Sequence, residues 1–178
     1  MCRLLLLAAM LGSLALRAAQ DTDRVTIYTD LSGVSCVLVS EVKETGDGPS
    51  LHRCPGIGGW QLLVAYDEQR MSVTLTPPHG KPQPLNFWDV ITPAFSSLGA
   101  KAEWRVTWRN GKVQPVALIV RVNTISAQGR HASYLTVAKI APEQSCVTNR
   151  VEPVPNANEK AREFADHASQ APCLKPPL

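Results

Sequence analysis

The chain has 178 residues, of which 44% are hydrophobic and 19% charged, with a formal net charge of +3 and five cysteines. That length bounds it to one domain, and the balance of 18 basic against 15 acidic side chains excludes a general nucleic-acid binder.

Residues 1–19 read as a secretory signal peptide. Arg3 is a short positive start, residues 4–11 are an apolar core and residues 13–19 supply small residues around a possible cleavage point. Ser13-Leu14-Ala15 best matches an Ala-x-Ala site, which places the mature start between 16 and 21. The apolar stretch 4–16 is shorter than the ~20 residues that span a bilayer, and no later stretch approaches that length. Cys2 precedes the apolar core, which argues against a lipoprotein. The expectation is therefore a signal peptide at 1–19 and one mature β-rich domain at 20–178, soluble, not membrane-spanning, and periplasmic or secreted. Removing Arg3 and Arg17 leaves that domain nearly neutral. It also leaves four cysteines, Cys36, Cys54, Cys146 and Cys173, in a compartment where disulfides persist. Four cysteines allow three pairings, and the sequence-nearest one, Cys36–Cys54 with Cys146–Cys173, is the expectation.

The mature chain reads as strands almost to its end, with runs at 24–29, 34–42, 60–67, 71–76, 103–109, 116–123 and 132–140 between Gly, Pro, Asn and Asp clusters. In 71–76, Met71, Val73 and Leu75 alternate with Ser72, Thr74 and Thr76, the pattern of a half-buried strand. The glycine cluster Cys54-Pro55-Gly56-Ile57-Gly58-Gly59-Trp60 lacks the Gly-Lys-Ser/Thr ending of a phosphate loop and leads into a strand-like run, so it reads as a disulfide-anchored turn. Residues 77–84 hold four prolines and predict a surface loop.

Asn110-Gly111 lies between two alternating runs and predicts a type I′ hairpin, with Trp104, Val106 and Trp108 on one face and Arg105, Thr107 and Arg109 on the other. A bulge near Pro115 would bring Val116, Leu118, Val120 and Val122 into the same apolar row. Near the end, Asn156 followed by Glu159 predicts a capped helix at about 157–168, burying Ala161, Phe164, Ala165 and Ala168 at i, i+3, i+4, i+7 spacing.

Candidate chemistry is sparse. His52, His79, His131 and His167 show no metal-ligand spacing, no Gly-x-Ser-x-Gly elbow is present, and the cysteines are committed to disulfides, so neither catalysis nor a cofactor nor a metal is expected. Charge is the one local signal. Between 101 and 140, Lys101, Arg105, Arg109, Lys112, Arg121, Arg130 and Lys139 stand against Glu103 alone. Arg105, Arg109, Lys112, Arg121, Arg130 and Lys139 would form a basic strip on a sheet face, suited to an anionic envelope component.

Cys-Pro-Gly-x-Gly-Gly from Cys54, Ala102-Glu103-Trp104-Arg105, and the tail from Asn156-Ala157-Asn158-Glu159-Lys160-Ala161 to Cys173 together resemble a group of exported alphaproteobacterial proteins with no assigned activity. The resemblance covers most of the mature chain and departs in the proline-rich loop, which is longer here. It implies export and paired cysteines and adds no functional residue. The reading is an exported antiparallel β-barrel or β-sandwich with one C-terminal helix and two disulfides, a non-enzymatic binding protein. The alternative is a secreted inhibitor of a hydrolase such as a lysozyme or protease, using residues 77–84 or the segment between Cys36 and Cys54 as its inserted loop.

Overall fold

The computed structural model describes residues 24–41 and 48–176. The signal-peptide reading, and most of the charged stretch between Cys36 and Cys54, lie outside those residues. Ten strands form two five-stranded antiparallel sheets packed as a sandwich, with a helix on the outer face of one of them. The first sheet has the order β1-β7-β8-β9-β10, with β1 Val25–Asp30, β7 Phe95–Arg109, β8 Lys112–Ile125, β9 His131–Lys139 and β10 Cys146–Val151. The second runs β2-β3-β4-β5-β6, with β2 Val37–Glu41, β3 Ser50–Pro55, β4 Gln61–Asp67, β5 Arg70–Thr76 and the two-residue β6 Gln83–Pro84. A one-turn helix, α1 Phe87–Val90, follows β6, and the long helix is α2, Ala157–His167.

Alternation builds the core. Leu62, Val64, Val73 and Leu75 from the second sheet meet Ala102, Trp104, Val106, Leu118, Val120 and Val122 from the first in one buried cluster. Phe87 seals the cluster from α1, and its amide donates to Ser72 Oγ at 3.1 Å. The other face of the first sheet is apolar as well, at Ala117, Ile119, Leu135, Val137 and Val151, and there Ala161, Ala165 and Ala168 pack. Small side chains let the helix lie close to the strands. Phe164, expected on that face, is instead 41% exposed, because three alanines already fill the contact.

The hairpin β7–β8 turns at Asn110 and Gly111 with φ of 51° and 71°, as the type I′ turn requires. Val116, expected in the apolar row, is instead the extra, unpaired residue of the bulge and stays out of the core: Arg105 pairs with Ala117 while Val106 pairs with Pro115. The shift carries Trp104 opposite Leu118 and keeps Leu118, Val120 and Val122 in the core. Trp108 departs from expectation. It sits beyond the covering sheet, 61% exposed, although it shares parity with the buried Trp104 and Val106.

Both disulfides join sequence neighbours, Cys36 to Cys54 and Cys146 to Cys173. The first ties β2 to β3, and the second ties the segment after α2 back to the start of β10, where Leu174 N also donates to Val147 O at 2.8 Å. The glycine turn follows the first. Gly58 and Gly59 take positive φ, and a Cβ at Gly56 would lie 2.2 Å from Trp60 O, so that position admits no side chain. Asn156 precedes α2, but its side chain forms no capping hydrogen bond.

Candidate functional site

The six basic side chains of the predicted strip are divided among three places. Arg105, Arg121 and Lys139 share the sheet face that α2 covers, and each is engaged. Arg105 donates from Nε to Asp166 Oδ1 at 2.8 Å and from Nη2 to Oδ2 at 3.1 Å, a two-point clasp between sheet and helix. Its side chain is 11% exposed. Lys139 Nζ donates to Ala171 O at 3.0 Å, placing a cation on the carbonyls beyond the helix C-terminus. Arg121 donates to Ser133 Oγ at 2.9 Å and approaches Asn158 Oδ1 at 3.4 Å, at the start of the helix. Arg130 lies in the β8–β9 turn, exposed. Arg109 and Lys112 stand at the other end of the sheet, exposed at the β7–β8 tip.

A second clasp fixes α2 beside the first. Arg162 donates from Nε to Glu103 Oε1 at 2.6 Å and from Nη2 to the Tyr28 hydroxyl at 3.1 Å, while that hydroxyl donates to Glu103 Oε2 at 3.2 Å. The hydrogen bond to Glu103 holds the Arg162 guanidinium above its already high ordinary value. A raised basic group contributes fully below its unfolded pKa, so on the guanidinium side this clasp is insensitive to pH across the neutral range.

Asp30, at the end of β1, behaves in the opposite sense. The hydrogen bond from Lys101, then that from Ser35, holds its carboxyl below the ordinary aspartate range. A lowered carboxyl contributes above its unfolded pKa and loses that contribution as pH falls through the folded value, which places the change below about pH 4. Carbon-detected NMR titration is expected to show the Asp30 carboxyl titrating below free aspartate and Lys101→Ala raising it. An unchanged midpoint in that variant would contradict the assignment.

The β7–β8 tip is where two free cations stand together, whereas Arg130 stands alone in its turn. Arg109 and Lys112 pair directly across the two strands, and among the described residues neither forms an ion pair. Like charges directly opposite each other are destabilising. The residue before Arg109, Trp108, is exposed on the other face of the same hairpin end. At the foot of the tip a recess of about 550 Å³ is lined by both cations and by His79 of the proline-rich loop. That loop is fastened to the body: Pro77 is buried, and Gln83 donates to Pro142 O and accepts from Ser145 N, both at 2.8 Å.

Sequence reasoning named Arg109 and Lys112 and missed Trp108 as their partner, having placed it in the core by parity. Its position next to the turn was the available signal, since a hairpin that outruns the facing sheet exposes both faces. The four histidines lie apart, in β3, the proline-rich loop, the start of β9 and the end of α2, and no group of three or more metal-ligating side chains occurs among the described residues.

The fold and the tip together define a two-sheet antiparallel sandwich with a helix-covered face and a basic, aromatic hairpin end. No protein-family model matches the chain, and neither a curated protein nor a solved structure matches it.

Proposed function

We propose that this is an exported, non-enzymatic binding protein that docks onto an anionic lipid surface through the β7–β8 tip. Export rests on the leader-like residues 1–19 and is supported by the two disulfides. Among the described residues no helix is long and apolar enough to cross a membrane, so the reading is of attachment at a surface. The observation that carries the docking site is Trp108, a large amphipathic ring 61% exposed at the same hairpin end as two unpaired cations. Tryptophan favours the headgroup level of a bilayer, where its ring is half desolvated and its N–H finds acceptors. Arg109 and Lys112 supply the attraction, each worth about 1 kcal/mol near an anionic leaflet. The alternative, hydrolase inhibition, would use the exposed residues 78–82 of the proline-rich loop, but the fastening of that loop at Gln83 gives it less reach than the tip.

Sedimentation with vesicles containing phosphatidylglycerol tests the docking. Binding is expected at ~0.01 M salt and release toward ~0.15 M, as the Debye length falls from ~30 Å to ~8 Å. Trp108→Ala is expected to weaken binding with stability changed by no more than about 0.5 kcal/mol, since the side chain is exposed. Equal binding to neutral and anionic vesicles, or full binding by the Trp108 variant, would contradict the proposal.

A further inference from the structure

A cleft of about 680 Å³ lies at the opposite end of the first sheet from the tip. It opens at the start of β7, and the tip closes the other end of that strand, roughly 40 Å away at strand rise. Its floor is set by register. Ser97 pairs with Asn123 and Asn123 with Ser133, giving a row of short polar side chains across three strands. The adjacent row is Phe95, Ile125 and His131. Both rows share the parity of Ile119 and Val137, which α2 covers, but the helix begins only at the level of Arg121 and leaves these rows open. Phe95 is 52% exposed and Ile125 44%, and Tyr66 contributes a second aromatic ring to the wall.

We infer that this cleft binds a neutral, hexose-containing oligosaccharide, an inference that goes beyond the lipid docking and is independent of it. The charge of the site selects the class. Among the described residues no carboxylate, lysine or arginine lines the cleft and the basic side chain in its lining is His131, so an ionic ligand would find little counter-charge on its walls. The mixture of rows selects further. A wholly apolar ligand would strand the amide and hydroxyls of Ser97, Asn123 and Ser133 against its surface, an unfavourable desolvation. A pyranose has both faces the site presents: C–H groups that lie against the electron-rich face of an aromatic ring, and hydroxyls around its edge. Side chains in the polar row are spaced at the ~4.8 Å of neighbouring strands, so they present a line of hydrogen-bonding groups to the edge of a sugar ring. Asn123 offers donor and acceptor together. Ser133 Oγ accepts from Arg121 at 2.9 Å, which leaves its own O–H free to donate into the cleft. The volume lies within the ~300–1,000 Å³ of pockets that take small ligands.

Titration of the full mature protein with maltotriose, cellotriose and chitotriose, followed by amide NMR, tests the inference. At least one sugar is expected to give saturable shifts confined to the strand segments around Phe95, Asn123 and Ser133, unchanged in affinity between low and high salt. Phe95→Ala and Asn123→Ala, both on the open face, are each expected to weaken that binding about ten-fold with the fold retained, as judged by unchanged spectra elsewhere. Phe95→Tyr is expected to preserve it. Absence of shifts at the cleft with all three sugars at millimolar concentration would overturn the inference, as would binding that survives both alanine variants. Shifts of the same residues by decanoate with none by sugars would assign the cleft to an apolar ligand instead. Loss of vesicle docking through Trp108 leaves all these outcomes unaffected, so the two proposals fail separately.

Discussion

Replacing Trp104 by alanine is expected to lower folding stability by about 3–5 kcal/mol, the range for deleting a large aromatic side chain from a packed core. Trp104 has no exposed surface and stands between the sheets, and its Nε1 donates to Thr29 Oγ1 at 2.8 Å, so the truncation leaves both a cavity and an unpaired hydroxyl. For a domain of about 150 residues this corresponds to a fall in Tm of roughly 8–15 °C. Trp108→Ala provides the internal comparison, with the same side chain lost four residues along the same strand at an exposed site. Thermal and urea unfolding of the pair checks both. Similar losses in the two variants would contradict the placement of the hairpin tip beyond the covering sheet.

Removing the Cys146–Cys173 bridge by paired alanine substitution is expected to destabilise the oxidised protein by about 3–4 kcal/mol, from the entropy that a closed loop of 27 residues takes from the unfolded chain. The loss falls unevenly. Helix α2 has 11 residues, below the ~12–15 at which an isolated helix becomes marginal in water, so it depends on its docking. The bridge secures the segment that follows it, while the Arg105–Asp166 and Arg162–Glu103 clasps secure the helix itself. Hydrogen exchange should therefore quicken in α2 before it quickens in β8. A stability loss below 1 kcal/mol, or exchange that quickens uniformly, would show that the clasps alone hold the helix.

What could be read from the residues was whatever depended on near neighbours in the chain. Asn110-Gly111 declared its turn because few other pairs tolerate two positive φ values, and the apolar row Leu118, Val120, Val122 required the bulge beside Pro115. Ala161, Ala165 and Ala168 showed a helical face at its proper spacing. Beyond the two-residue β6, which lies in the stretch predicted as a loop, two whole strands were not legible. β3 carries His52 and Arg53 and ends on Pro55, and β10 carries Asn149 and Arg150, so neither resembles a β-rich run, and each is held in its sheet by pairing with a stronger neighbour and by a cysteine. β7 also begins eight residues before the run predicted for it, through an irregular stretch in which Gly99 permits close approach, since a Cβ there would lie 2.9 Å from the Arg121 Cβ. The candidate sites demanded still more distant information. Alternation correctly put the tryptophans and bases of β7 on opposite faces, but it could not tell that a helix from the far end of the chain covers the basic face, nor that the facing sheet stops short of Trp108. The cleft was invisible for the same reason: Ser97, Asn123 and Ser133 form a row only once three strands are in register.

In the proposed function the docking cations are Arg109 and Lys112 at the hairpin tip, because α2 and the segment after it engage Arg105, Arg121 and Lys139, and Arg130 stands alone in the β8–β9 turn. Two double variants separate the possibilities: Arg109→Gln with Lys112→Gln at the tip, and Arg121→Gln with Lys139→Gln beside the helix. Each removes two positive charges, so net charge is matched. Sedimentation with phosphatidylglycerol vesicles at ~0.01 M salt, where the Debye length is ~30 Å, reads the difference. The tip variant is expected to lose most of its binding and the helix-side variant to keep it. Loss of binding in the helix-side variant with the tip variant unaffected would contradict the claim and return the docking site to the face that α2 covers.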